Sequence, residues 1–179
     1  MQPVEVTESA PPKARSPLLK PLLFWGAALT LLVLDQSTKA IVRATLEKGE
    51  SWPSADWPVR IHYVTNTGAA FGILEDQTVF LVVMACIGLA AIYLYYRYPP
   101  FDHPIAPVAI GMMLGGAAGN LFDRIRLSEV TDFIAFPSYP AFNVADSSLT
   151  IAIATVIFGY LMFAPQEEPA ADENAGADS

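Results

Sequence analysis

Four stretches of the chain run without a charged side chain: residues 21–34, 77–96, 104–122 and 147–166, of 14, 20, 19 and 20 residues. A helix needs about 20 apolar residues to cross ~30 Å of hydrocarbon. The last three are long enough as they stand. The first continues through Asp35-Gln36-Ser37-Thr38-Lys39-Ala40-Ile41-Val42 without proline or glycine, so it reads as a span whose final turns carry charge. The pattern predicts four transmembrane helices.

The connections differ in kind. Between the first two spans, Val59-Arg60-Ile61-His62-Tyr63-Val64 mixes β-branched and aromatic residues with partial alternation, which predicts a strand. Asn66-Thr67-Gly68 then turns the chain, and Ala69-Ala70-Phe71-Gly72-Ile73-Leu74 is apolar again, so a small sheet at the membrane surface is expected. Arg97-Tyr98-Pro99-Pro100 is a short link. Pro137 and Pro140 lie in a return loop between spans three and four. Residues 1–19 and 166–179, rich in Pro, Ala, Glu and Ser, read as disordered tails around one membrane domain over residues 20–165.

Composition agrees. Hydrophobic residues make up 53% and charged ones 16%, against about 25% charged in soluble domains. A net charge of -8 argues against nucleic acid as a partner. Cys86 stands alone, so no internal disulfide forms, and His62 and His103 have no cysteine pair beside them to make a zinc site. No metal or cofactor is expected. Lys13, Arg15 and Lys20 before the first span resemble a signal-peptide start, but no small-x-small cleavage site follows. Four spans put both termini on one side, and counting Lys and Arg, four against five, does not choose which.

The chemistry lies in polar residues that a bilayer should exclude. Asp35, Lys39 and Arg43 share one helix face at i, i+4, i+8; they serve either as an interfacial anchor or in shaping a polar pocket. Gly111, Gly115 and Gly119 repeat at four-residue intervals and read as a helix-packing seam. Asn120-Leu121-Phe122-Asp123-Arg124 closes the third span. Asp132 follows between Val130 and Phe133-Ile134, apolar neighbours that raise a carboxylate's pKa if they bury it. Asp146 stands where an N-cap of the fourth helix is expected. Both aspartates belong to one return loop, which can bring them together.

Two aspartates in a low-dielectric site share a proton. The ionised member can take a proton from water while the protonated one polarises a carbonyl, the arrangement of aspartic proteases. Other hydrolytic devices fit worse: no histidine or Gly-x-Ser-x-Gly elbow accompanies a serine, Ser37 and Lys39 face different ways, and nothing activates Cys86. The alternatives from other classes are a small membrane carrier or proton-relay protein, for which intramembrane acids also serve, and a non-enzymatic assembly factor.

Taken in order, Asp35-Gln36-Ser37-Thr38-Lys39, Asn66-Thr67-Gly68-Ala69-Ala70-Phe71, Gly115 through Arg124, Val130-Thr131-Asp132-Phe133 and Phe142-Asn143-Val144-Ala145-Asp146 resemble bacterial lipoprotein signal peptidase, signal peptidase II. The resemblance spans roughly residues 20–165. It implies an all-α membrane fold of four transmembrane helices with a small β-containing extracytoplasmic segment. It further implies an aspartic endopeptidase of the bacterial cytoplasmic membrane that cuts diacylglyceryl-modified prolipoproteins before the lipidated cysteine. Carried over by motif, Asp132 and Asp146 are catalytic, and Asp35, Lys39, Asn66, Gly68, Asn120, Asp123, Arg124 and Asn143 bind substrate or brace the site. Both termini would be cytoplasmic, the active site near the outer leaflet, and the protein a monomer in contact with membrane lipid and inhibited by globomycin. The Asp132–Asp146 interval is shorter than the family's, and the tails have no counterpart in it.

Overall fold

The computed structural model describes residues 17–54, 57–68, 74, 77–99 and 101–163. In chain order these form α1 (Leu19–Thr45), β1 (Ser51–Trp52), β2 (Arg60–Asn66), α2 (Thr78–Arg97), α3 (Ile105–Leu127), β3 (Val130–Phe136), β4 (Tyr139–Phe142) and α4 (Val144–Phe163). Each uncharged stretch is a helix long and apolar enough to cross a membrane. The first runs on past Asp35 and Lys39, as its lack of helix breakers indicates. The C-terminal tail, residues 1–16 of the N-terminal one, and Ala69–Ile73 of the apolar stretch after the turn lie outside the described residues, whereas Leu19, placed in the N-terminal tail, opens α1.

Helix α3 is the hub, packing on α1, α2 and α4. Its glycines explain the close fit. A Cβ on Gly111 or Gly115 would collide with the Phe24 or Ala28 carbonyl oxygen of α1, and one on Gly116 with Ser148 of α4. Small residues let helices approach closely where lipid offers no hydrophobic drive, so the seam reading holds.

The four strands form one antiparallel sheet in the order β1-β2-β3-β4. The predicted strand is β2. The prolyl return loop expected between spans three and four is instead the β3–β4 hairpin: Ile134 pairs with Phe142 and Phe136 with Tyr139, and Ser138 takes the left-handed conformation (φ 60°) between them. Pro140 is tolerated because β4 is an edge strand, where no partner requires its missing N–H. Ser128, also left-handed (φ 62°), turns the end of α3 directly into β3.

Two apolar clusters lie along α1. Phe24 packs with Ala109, Ile110 and Val156 in the bundle. Val42 packs with Tyr63 and Phe133 beneath the sheet. Between them on α1 sit Asp35 and Lys39, both fully buried. The fold thus sandwiches a polar layer between two apolar ones, and that layer supports the site.

Candidate active site

Lys39 supplies the centre of the polar layer. Its Nζ lies 2.9 Å from Asp35 Oδ2, 3.2 Å from Asp123 Oδ2 and 2.8 Å from Asn120 Oδ1. An ammonium has three N–H donors, and all three have a partner. Arg43 lies 3.7 Å from Asp123 and donates to Thr131 Oγ1 at 2.9 Å. Two acids and two bases balance, which burial of such groups requires. Asp35 and Lys39 are fully enclosed by protein rather than reaching outward, which does not fit an interfacial anchor. Asp35 also accepts from the Ala145 N–H at 3.0 Å, so α1 caps the start of α4.

The expected N-cap role of Asp146 is corrected. Helix α4 begins at Val144, three residues before the uncharged stretch, and its N-cap is Asn143. Asn143 Oδ1 accepts from the Asp146 N–H at 3.0 Å, while Asp146 Oδ2 accepts from the Asn143 N–H at 3.2 Å. This is a reciprocal capping box with aspartate at the third helical position. It locks both the backbone and the carboxylate of Asp146.

Asn143 also reaches Asp132, its Nδ2 donating to Oδ1 at 2.7 Å. Asn66, at the end of β2, donates to Asp132 Oδ2 at 3.3 Å. Asn120 donates to Asp146 Oδ1 at 2.8 Å. Each carboxylate oxygen therefore has an amide donor, and three side-chain amides supply three of the four without adding a charge. Asp132 is buried at 3% exposure, whereas Asp146 is half-buried. Burial, followed by the adjacent Asp146 charge, pushes the Asp132 carboxyl up to about 7, against the opposing pull of its Asn143 and Asn66 bonds and of Lys39.

Asp132 and Asp146 line one cavity of about 340 Å³ with Asn66, Asn120 and Arg124. Arg124 donates from Nη2 to the Gly68 carbonyl at 3.0 Å, and the Gly68 N–H donates to Asn66 Oδ1 at 2.9 Å. Gly68 thereby ties the turn after β2 to α3. Asp35, Lys39 and Asp123 lie behind the cavity rather than on its wall. Every residue singled out from sequence thus belongs either to the cavity or to the network behind it.

Sequence reasoning missed others. Gln36 Nε2 lies within hydrogen-bond reach of Asp35, the Gly119 carbonyl and Asp123. Thr131 receives Arg43 and donates its N–H to Asp123 at 3.2 Å. Strand β4 and Leu149 and Thr150 of α4 complete the cavity wall. Only the last pair had a readable signal, standing three and four residues after Asp146 on its helix face.

A profile of the signal peptidase (SPase) II family matches residues 27–162. The chain belongs to this family. It is 39% identical over 144 residues to the lipoprotein signal peptidase of Dehalococcoides mccartyi, covering 78% of this chain and 89% of that one. It is 40% identical over 149 residues to that of Geobacillus kaustophilus, covering 81% and 96%. Among solved structures, a bacterial membrane enzyme determined by the in meso method at 2.3 Å superposes with a TM-score of 0.70 at 34% identity, over 75% of this chain and 85% of the other. This signal peptidase II homologue is thus a multi-pass membrane protein with a peptidase family's sequence and fold.

Proposed function

We propose that this signal peptidase II homologue is a membrane-embedded aspartic endopeptidase. It cleaves the signal peptide from diacylglyceryl-modified prolipoproteins immediately before the lipidated cysteine. The observation that carries the reading is the pair Asp132 and Asp146 on one cavity wall, one buried and protonated up to about pH 7, the other more exposed and held in a capping box.

The asymmetry assigns roles. Asp146 takes a proton from a water lying between the carboxyls. Asp132, protonated, donates to the oxygen of the scissile carbonyl as that water attacks. The tetrahedral intermediate then collapses as a proton passes to the leaving nitrogen, releasing two chains without a covalent enzyme intermediate. Asn66 and Arg124, on the same wall, hydrogen-bond the substrate backbone; Asp35, Lys39, Asn120, Asp123 and Asn143 hold the two carboxyls in register. A proton-coupled carrier would show discontinuous helices near mid-bilayer, whereas α1 to α4 each run unbroken.

Family membership supports the setting: the bacterial cytoplasmic membrane, both termini cytoplasmic, the dyad near the outer leaflet, and a monomer surrounded by lipid. Globomycin would occupy the same cavity. The test is signal-peptide release from a diacylglyceryl-modified prolipoprotein by purified protein, run beside Asp132→Asn and Asp146→Asn. Cleavage by the parent that both variants lose while folded supports the dyad. Persistent cleavage by either variant, or none by the folded parent, overturns it.

A further inference from the structure

A second recess lies farther along the helices that wall the cavity of the two aspartates. Helices α2 and α4 both pack on α3 but scarcely on each other. A second cavity of about 350 Å³ opens between them, walled by Ala91, Ile92 and Tyr95 of α2, Met113 of α3, and Ile153 and Ile157 of α4.

Helical periodicity aligns it with the dyad. At ~100° per residue, Asp146, Thr150, Ile153 and Ile157 fall on one stripe of α4, and Arg124, Asn120 and Met113 on one stripe of α3. In each helix the stripe leaves the dyad cavity and arrives in the apolar one. The polar-to-apolar change runs in step on both: Asp146 and Thr150 give way to isoleucines, Arg124 and Asn120 to methionine. Ile153 and Ile157 remain 46% and 56% exposed although they flank a concave recess.

The geometry points to this groove as the seat of the apolar segment of the substrate's signal peptide, bound as a helix alongside α4 while its C-terminal end crosses the dyad. The inference rests on the proposed prolipoprotein substrate. The length of the groove fits this occupant. Asp146 and Ile157 are eleven residues apart, about 16 Å of helix axis. A signal peptide's apolar region of about 7–15 residues spans roughly 10–22 Å as a helix. The peptide must also pass the dyad and continue on its N-terminal side, and the groove is collinear with that path. Acyl chains on the residue following the cut have no such requirement.

Three measurements on the full-length protein in lipid test it. Ala91→Trp narrows the mouth from an exposed position; KM for full-length prolipoprotein is expected to rise about tenfold with kcat within twofold. Leu29→Trp, on the lipid face of α1, serves as the control and leaves both unchanged. A diacylglyceryl peptide lacking the apolar segment should show the same elevated KM with the parent, and the two effects should not add. In a Cys86→Ser background, Ile153→Cys should form a disulfide with a cysteine midway along the signal segment, and Leu29→Cys should not. An unchanged KM in Ala91→Trp, additive effects, equal cross-linking at both positions, or preferential labelling of Ile153→Cys by a photoreactive acyl chain would each overturn the groove assignment. Failure of the parent to cleave full-length prolipoprotein would instead overturn the proposed function.

Discussion

Lys39 and Asp146 hold opposite ends of one amide. Asn120 accepts from Lys39 through Oδ1 at 2.8 Å and donates to Asp146 through Nδ2 at 2.8 Å. An asparagine amide can be placed either way round, and here the ammonium decides, since it can only donate. The donor end is thereby aimed at the carboxylate. A residue on the first helix sets the hydrogen bonding of a carboxylate on the fourth.

Substitutions at Asn120 should expose that link. Asn120→Ala removes the donor to Asp146 and is expected to lower kcat about 10- to 100-fold in a folded protein. Asn120→Asp keeps the shape but replaces the donor with a negative charge beside the dyad, so it should lose at least as much. Single-turnover cleavage with a thermal melt of each variant checks this; full activity in Asn120→Asp would break the chain of reasoning.

Lys39 itself is a stability determinant. Lys39→Met leaves Asp35 and Asp123 buried without their main cation, a change expected to cost about 3–5 kcal/mol. The thermal midpoint in detergent should fall steeply, and Lys39→Arg should not restore it, since the longer planar group does not fit three partners around one nitrogen.

The two jobs of Asn143 can be separated. Serine is also a good N-cap, so Asn143→Ser should hold α4 to within about 1 kcal/mol while losing the bond to Asp132 and with it most activity. Asn143→Ala should lose both the cap and the activity. Equal melts for the two variants would argue against the capping box.

The rate should fall as pH rises through about 7, because Asp132 acts as an acid and loses its proton there. Asn66 favours the ionised form by donating to it, so Asn66→Ala should move this limb to higher pH in a kcat/KM profile. Stability carries the same sign. The folded value lies above the ordinary 3.8, so the fold holds a proton the unfolded chain has released, and this contribution is lost as pH rises from about 4 to 7. Asp132→Asn should therefore be inactive yet melt higher than the parent above pH 7.

The glycine seam has its own test. A Cβ on Gly119 would strike the Asp35 carboxylate, whereas Gly26 and Gly88 face open space. Gly119→Ala is expected to cost about 1–3 kcal/mol and to reduce activity through Asp35, and Gly88→Ala neither. Melts of the two alanine variants decide it.

Uncharged stretches determined three spans, and the lack of proline or glycine past Asp35 the remaining one, because a helix in hydrocarbon must satisfy its backbone internally and coat itself with apolar side chains. The same requirement made Asp35, Lys39 and Asp132 conspicuous, since a buried charge needs a reason. Tertiary structure decided what each was for. Val130–Phe136 became a central strand because β2 and β4 pair with it on either side, a partnership no local pattern announces. Asp146 became the third residue of α4 rather than its cap because Asn143 and Asp35 satisfy the helix start between them. Gln36 and Thr131 also meet partners more than eighty residues distant, Gly119 and Asp123 for the one and Arg43 for the other. Hydrogen bonds are directional and short, so which donor meets which carboxylate is settled only when α1, α3, β3 and α4 are packed together.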